Sequence, residues 1–142
     1  MRFAFLLLAW CLFAPARAEL PAVELSAGMH RITAEVANSA GTRMQGLMHR
    51  KSMAQNAGMV FAFEESGLHC MWMKNTLIPL SVAFIDESGA IINIADMKPQ
   101  TEQSHCATRP ARYALEMNQG WFAQRGIKPG ARLRGLERFA PR

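Results

Sequence analysis

The sequence predicts an α+β domain with a largely antiparallel, curved sheet of six to seven short strands and two short helices. Three observations predict this fold class. Short apolar or alternating runs recur between turn residues, as strands do. Only two stretches have the spacing of a helix. The connections leave little room for the long crossovers that parallel strands require. The sheet could close into a small barrel.

The first elements are a strand and a helix. His30–Ala37 alternates apolar and polar residues, which indicates a half-buried strand. Thr42 is followed three residues later by Gln45, a spacing typical of the capping box that begins a helix. On that helix we expect Met44 and Met48 to lie in the core.

The remaining elements are strands and one more short helix. A hairpin is favoured at residues 81–86 and 90–96 because Gly89 can take the positive φ of a three-residue loop. The other predicted strands, bounded by turns or polar segments, are residues 58–63 with a turn at 64–67, a strand starting near Cys70, residues 111–117 and residues 131–136. Residues 118–125 are the second predicted helix.

The first eighteen residues have the pattern of a signal peptide. Arg2 precedes an apolar run from Phe3 to Ala14, and Ala16-Arg17-Ala18 gives the small-x-small cleavage pattern. The run is too short to span a membrane, so we expect cleavage before Glu19 and a mature form without a transmembrane span. The product, residues 19–142, would be one globular domain, either periplasmic or secreted.

The charge balance argues against a nucleic-acid partner. The full chain has 16 basic and 11 acidic residues, and cleavage would remove the basic Arg2 and Arg17. The remaining excess of positive charge is small and forms no long cluster. We therefore predict no binding to nucleic acid.

Two cysteines remain after cleavage, Cys70 and Cys106. A pair in an oxidising compartment favours a disulfide. A metal site is the alternative, because each cysteine follows a histidine and thiolates with imidazoles suit zinc or copper. Its candidate ligands are His69, Cys70, Met71, Met73, His105 and Cys106.

The densest polar chemistry follows the first of these cysteines. Trp72 and Lys74 would share one face of a strand, and Trp72 is expected in the core. A lysine sheltered beside Trp72 could bind an anion or act as a base, and Asn75 and Thr76 could orient a small polar ligand. In the alternative interpretation, Lys74 pairs with an acid such as Glu116 and the next two residues only hold a turn.

Seven ordered elements resemble one known family: Gly46-Leu47-Met48, Gly58-Met59, Trp72-Met73-Lys74-Asn75-Thr76, Pro79-Leu80, the hairpin from Phe84-Ile85-Asp86 to Gly89, Leu115-Glu116 and Gly120. The family is domain of unknown function 192, and the resemblance runs from about Arg31 to Gly135. It implies a compact domain of strands and short helices, often exported or membrane-tethered, without an established biochemical role. One departure is Ser81, where members of the family often carry an acid.

Three classes of function fit these residues. The first is a cell-envelope accessory or binding domain that holds a small polar or anionic ligand, or a peptide, beside Trp72, Lys74, Asn75 and Thr76. It needs no cofactor, and the sequence gives no prediction of the oligomeric state.

The second class is copper binding, which is suggested by nine methionines beyond Met1 and by the Cys70-Met71-Trp72-Met73 run. The third is an enzyme with Lys74 or a histidine (His30, His49, His69 or His105) as base. Hydrolase, phosphate-binding and dinucleotide motifs do not occur, so the sequence favours a role without catalysis.

Overall fold

The computed structural model describes residues 20–139, so the predicted signal peptide lies outside the described residues. Within this range the chain forms nine strands and two short α-helices, and the α+β class is confirmed. In chain order the elements are β1 Ala22–Ala27, β2 His30–Ala37, α1 Ala40–Gln45, β3 Ala57–Gly67, β4 Cys70–Met71, β5 Leu80–Ile85, β6 Ile91–Met97, β7 His105–Cys106, β8 Ala111–Asn118, α2 Trp121–Gln124 and β9 Leu133–Arg134, followed by a 3₁₀ turn at Leu136–Arg138.

Seven strands form one sheet, in the order β6-β5-β8-β3-β2-β1-β9. Every neighbouring pair is antiparallel except β2 and β3, which are parallel and joined through α1. The largely antiparallel sheet is thus confirmed. The two remaining strands, β4 and β7, pair only with each other, through Cys70 with Cys106 and Met71 with His105.

The sheet curls until its two edges approach each other. The backbone N–H of Leu133 donates to the carbonyl of Gly89 at 2.8 Å, and that of Ile91 donates to Ala131 at 2.8 Å. These bonds join the start of β6 to the residues around β9, with a bridge between Ala90 and Arg132. The result is a half-barrel whose strands wrap around one apolar core.

The sheet has a second core on its other face. Along β8, Leu115 and Met117 point into the half-barrel, whereas Ala114 packs in a separate cluster with Phe61 and Phe84. Residues from the loops cover that cluster, including Leu47, Met73, Ile78 and Ala107. Because side chains alternate along a strand, Glu116 shares the face of Ala114 and lies under this loop layer.

The first helix differs from the prediction. Ser39, not Thr42, is the N-cap: Ser39 Oγ accepts from Thr42 N at 3.1 Å, and Thr42 Oγ1 accepts from Ser39 N at 3.0 Å. The helix has only six residues and ends at Gly46, so Leu47 reaches the core and Met44 does not. Met44 is 66% exposed, and its predicted core position was wrong.

Two further expectations around β3 and β4 were wrong. Residues 64–67 are not a turn, because β3 continues to Gly67, which pairs with Ala111 beyond a bulge. The strand that starts at Cys70 ends at Met71, since Lys74 and Asn75 form a turn. The predicted alternation of faces therefore fails, and Trp72 is 40% exposed rather than in the core.

Candidate functional site

A groove of about 590 Å³ opens on the loop-covered face of the sheet. Its walls are α1 with the loop that follows it, the outer half of β3, and the segment from Cys70 to Thr76. We call it the β3 groove. Most of its lining is apolar, from Leu47, Phe61, Phe63 and Met71 among others. A site of this size and composition suits a small molecule.

The segment from Cys70 to Thr76 is fixed by a neighbouring loop. Cys70 and Cys106 form a disulfide with an S–S distance of 2.03 Å. The N–H of Met73 donates to the carbonyl of Thr101 at 3.0 Å, and the carbonyl of Thr76 accepts from the N–H of Gln100 at 3.0 Å. This wall of the groove is therefore held at both ends.

Trp72 and Lys74 lie together at the rim of the groove. Lys74 Nζ is 5.2 Å from the centroid of the Trp72 ring and 3.9 Å from Glu102 Oε1. The side chain of Lys74 is 48% exposed, so this ion pair is weak. Lys74 is thus beside Trp72, as predicted, but its partner is Glu102 and not Glu116.

Asn75 and Thr76 separate into two roles. Asn75 has a φ of 54°, a left-handed conformation that asparagine tolerates better than most residues. Its carbonyl accepts from the N–H of His49 at 2.9 Å, and Asn75 does not line the groove. Thr76 is buried and lines the groove, with its hydroxyl donating to the carbonyl of Lys74 at 3.2 Å. Trp72, Lys74 and Thr76 are therefore brought together, whereas Asn75 shapes the turn.

Glu116 lines the groove from the sheet beneath it. It lies on β8, opposite Met59 of β3 and Val82 of β5, and is only 3% exposed. Among the described residues its carboxyl has no hydrogen bond or ion pair. Burial raises the pKa of this carboxyl from 4.5 to about 8. The group is therefore largely protonated at neutral pH.

Sequence reasoning named Glu116 only as an ion-pair partner and missed it as a site residue. The signal was present: a single acid inside the apolar run Tyr113-Ala114-Leu115-Glu116-Met117 must be buried when that strand is central. A buried carboxyl without a partner is rare in a structural core and common at functional sites.

Two basic side chains that line the groove, Arg43 and His69, have partners of their own. Arg43 donates to the carbonyl of Ala62 at 3.0 Å and lies 3.7 Å from Glu64. The ring of His69 stacks on Phe63 with centroids 3.8 Å apart, and its Nε2 is 2.8 Å from the carbonyl oxygen of Glu65.

The alternative metal ligands do not form one site. Cys70 and Cys106 are oxidised to a disulfide, so neither sulfur is a thiolate. Met73 is buried in the second core, on the loop-covered face of the sheet, and does not line the groove. Nowhere in residues 20–139 do three or more histidine, cysteine or acidic side chains gather closely enough to hold a metal ion. His105 Nε2 is buried and has no hydrogen-bond partner in the described part of the chain, but it does not line the groove.

The sequence profile of DUF192, described as an uncharacterized ACR, matches residues 23–135. The chain belongs to this family. No curated protein matches this DUF192 chain. No helix in its described part is both long and apolar enough to cross a membrane.

Two solved structures resemble the DUF192 chain closely. One is a protein of unknown function from Novosphingobium aromaticivorans, with 31% identity, a TM-score of 0.79, and coverage of 82% of this chain and 86% of that one. The other is named a "putative transcription regulator" from Sinorhizobium meliloti, with 36% identity, a TM-score of 0.78, and coverage of 84% and 98%. Both similarities extend over most of the fold, and neither protein's name gives a biochemical role for the β3 groove.

Proposed function

We propose that this DUF192 protein is an exported binding domain that holds a small molecule in the β3 groove. The observation that carries the proposal is the groove itself. Its volume of about 590 Å³ lies in the range of small-molecule sites, roughly 300–1,000 Å³, and its apolar walls converge on a few polar groups.

The apolar walls are suited to a ligand with an apolar body. Met44, Met48 and Met71 all line the groove, and the flexible thioether side chain adapts to ligands of different shape. Trp72 adds a large, partly exposed ring at the rim, which can cover a bound molecule. Lys74 and Thr76 supply polar contacts at the same wall.

The disulfide and the leader support export. The Cys70–Cys106 disulfide is exposed at the surface. A reducing cytoplasm would keep an exposed pair of cysteines as free thiols, so the disulfide favours an oxidising compartment. The first eighteen residues have the signal-peptide pattern. Export would place the β3 groove where it meets periplasmic or extracellular small molecules.

A fragment screen by thermal shift, followed by calorimetry on the hits, tests the proposal. Trp72→Ala should weaken the hits at least about tenfold, because the ring covers the groove. Leu77→Ala is the matched control: Leu77 and Trp72 are both 40% exposed, but Leu77 does not line the groove. Finding no hit, or hits that Trp72→Ala and Leu77→Ala affect equally, would overturn the proposal.

The methionines favour copper binding as a second candidate. Three thioethers line one groove, and Cu(I) prefers soft sulfur ligands. Equilibrium dialysis against a moderate Cu(I) chelator, with the disulfide intact, tests this candidate. Retention of Cu(I) that Met44→Leu and Met71→Leu abolish would support it, and free passage of Cu(I) would exclude it.

A further inference from the structure

We propose that the β3 groove binds an organic cation, a primary ammonium group on an apolar body, and that the ammonium pairs with the carboxylate of Glu116. This inference rests on the proposed function, because it requires that the groove be a binding site. It adds the chemical class of the ligand and the residue that selects it.

The first step is the state of Glu116. The side chain is 3% exposed, lines the groove and has no polar partner in residues 20–139. A carboxyl group largely withdrawn from water, with no protein group to bond, is costly to the fold by the desolvation that a partner would offset. The oxygens of Glu116 are not among the fully buried unpaired atoms of the described residues, so they are accessible from the groove that this residue lines. The natural completion of such a group is a ligand that donates hydrogen bonds to it.

The second step concerns the charge of the ligand. Among the described residues, three acids line the groove, Glu64, Glu65 and Glu116, against two cations, Arg43 and Lys74. Both cations also lie near an acid, at 3.7 and 3.9 Å. With Glu116 ionised, the lining therefore holds more acidic than basic groups, which favours a positive group at the floor.

The third step concerns the shape of the ligand. Phe61 and Leu47 are buried and line the groove, so a body that fills it must be apolar. A primary ammonium has three donors. The carboxylate oxygens of Glu116 and the Thr76 hydroxyl oxygen are acceptors for these donors on the same lining. A short alkyl or aralkyl amine meets these requirements.

Binding of the ammonium should release a proton from Glu116, and this release distinguishes the proposed ion pair from other ways of binding. Burial raises the pKa of Glu116 to about 8, so at neutral pH the free carboxyl carries a proton. When the ammonium binds, that proton leaves to solvent, and a new ion pair forms without any other bond changing. The affinity should therefore rise with pH by up to about tenfold per unit below about pH 8, and level off above it.

Other groups at the groove must be separated from this effect. The charged and titratable side chains that face it are Arg43, Glu64, Glu65, His69 and Lys74. A pH dependence that comes from any of these groups would persist in a Glu116 variant, whereas the dependence that comes from Glu116 would be lost, so the two can be told apart.

Calorimetry with three probes of equal chain length tests the inference: hexylammonium, hexan-1-ol and hexanoate. We expect hexylammonium to bind at least about tenfold tighter than hexan-1-ol at about pH 8, and hexanoate to bind weakest. Titrations in buffers of different ionisation enthalpy should show release of close to one proton at about pH 7. E116Q should lose the preference for the ammonium and its pH dependence, yet still bind hexan-1-ol. E65Q removes an acid at the rim of the groove and should reduce the preference less than E116Q does. E24Q, at an exposed acid outside the groove, is the matched control and should keep both.

The outcomes separate this inference from the proposed function. If hexan-1-ol binds but hexylammonium is no tighter, or if its affinity falls with rising pH, the ammonium assignment is overturned while the groove remains a binding site. If E65Q abolishes the preference as strongly as E116Q, the selection belongs to the rim and the role of Glu116 is wrong. If none of the three probes binds, both proposals fail.

Discussion

Replacing Glu116 by glutamine should stabilise the protein, and increasingly so as the pH rises. In the unfolded chain the carboxyl ionises near its ordinary pKa of 4.5, whereas burial in the folded protein raises this pKa to about 8. Between these values the folded state holds a proton that the unfolded state has lost. The free energy of unfolding therefore falls as the pH rises through this window.

The size of the effect follows from the two pKa values. Each pH unit of the window corresponds to about 1.4 kcal/mol, so the wild type loses about 3 kcal/mol between pH 4.5 and 7 and about 4 kcal/mol by pH 8. Glutamine has nearly the same shape and no charge, and therefore does not lose this stability. At about pH 4, where both side chains are neutral, the two proteins should differ by less than about 1 kcal/mol.

Urea unfolding of the mature protein at a series of pH values measures the difference directly. The wild type and E116Q should have similar midpoints in acid and diverge above about pH 5. E65Q is a suitable control, because Glu65 is exposed and its variant should follow the wild-type profile. Parallel profiles for wild type and E116Q across this range would refute the raised pKa and with it the protonated carboxyl in the groove.

Three further predictions concern the frame around the groove. Gly58→Ala should cost more than about 3 kcal/mol in urea unfolding, because the added Cβ would collide with the backbone carbonyl of residue 116; a loss below about 1 kcal/mol would contradict this close approach. Reducing the Cys70–Cys106 disulfide, which closes a loop of 36 residues, should cost about 4 kcal/mol on the chain-entropy model and weaken ligand binding; unchanged stability and binding would contradict its role as a staple. Arg50→Gln should cost about 2 kcal/mol at pH 7, because Arg50 makes bonds of 2.7 and 2.9 Å to the half-buried Glu35. Although burial opposes it, the bonds from Arg50 lower the pKa of Glu35 from its ordinary value of 4.5, so the deficit should shrink as the pH falls below that value and Glu35 takes up a proton; a constant deficit would contradict this pairing.

The strands were largely readable from local pattern. Alternation over His30–Ala37 gave the bounds of β2, and Gly89, with a φ of 87°, does sit in the loop of the predicted hairpin. β1 and the two-residue β7 were missed. β7 pairs with β4 at the Cys70–Cys106 disulfide and is also held by the Asn93 side chain, which donates to the carbonyl of Cys106 at 3.1 Å. Such contacts between distant residues leave no local signal in the sequence. The last strand is shorter than predicted, because the chain turns at Gly135 with a φ of 99°.

The candidate site was only partly readable. Three residues of the predicted site, Trp72, Lys74 and Thr76, line the groove, and their role in binding stays a prediction. The geometry of the segment from Trp72 to Thr76 was not predicted correctly, because the prediction extended a strand through Lys74, where the chain instead turns. The backbone of Asn75 in this turn accepts a hydrogen bond from His49, a contact that the sequence does not reveal. Glu116 was underrated for a related reason. Its importance depends on β8 being central in the sheet and covered by loops, which is a property of the tertiary fold.

The most direct test of the account is the titration of the Glu116 carboxyl itself, by carbon-detected NMR on protein labelled in its glutamate side chains. The resonance is assigned by its absence from E116Q. We expect a midpoint near pH 8 in the free protein and a large decrease when hexylammonium saturates the groove. A midpoint near 4.5 that hexylammonium leaves unchanged would contradict both the buried acid and its role in binding.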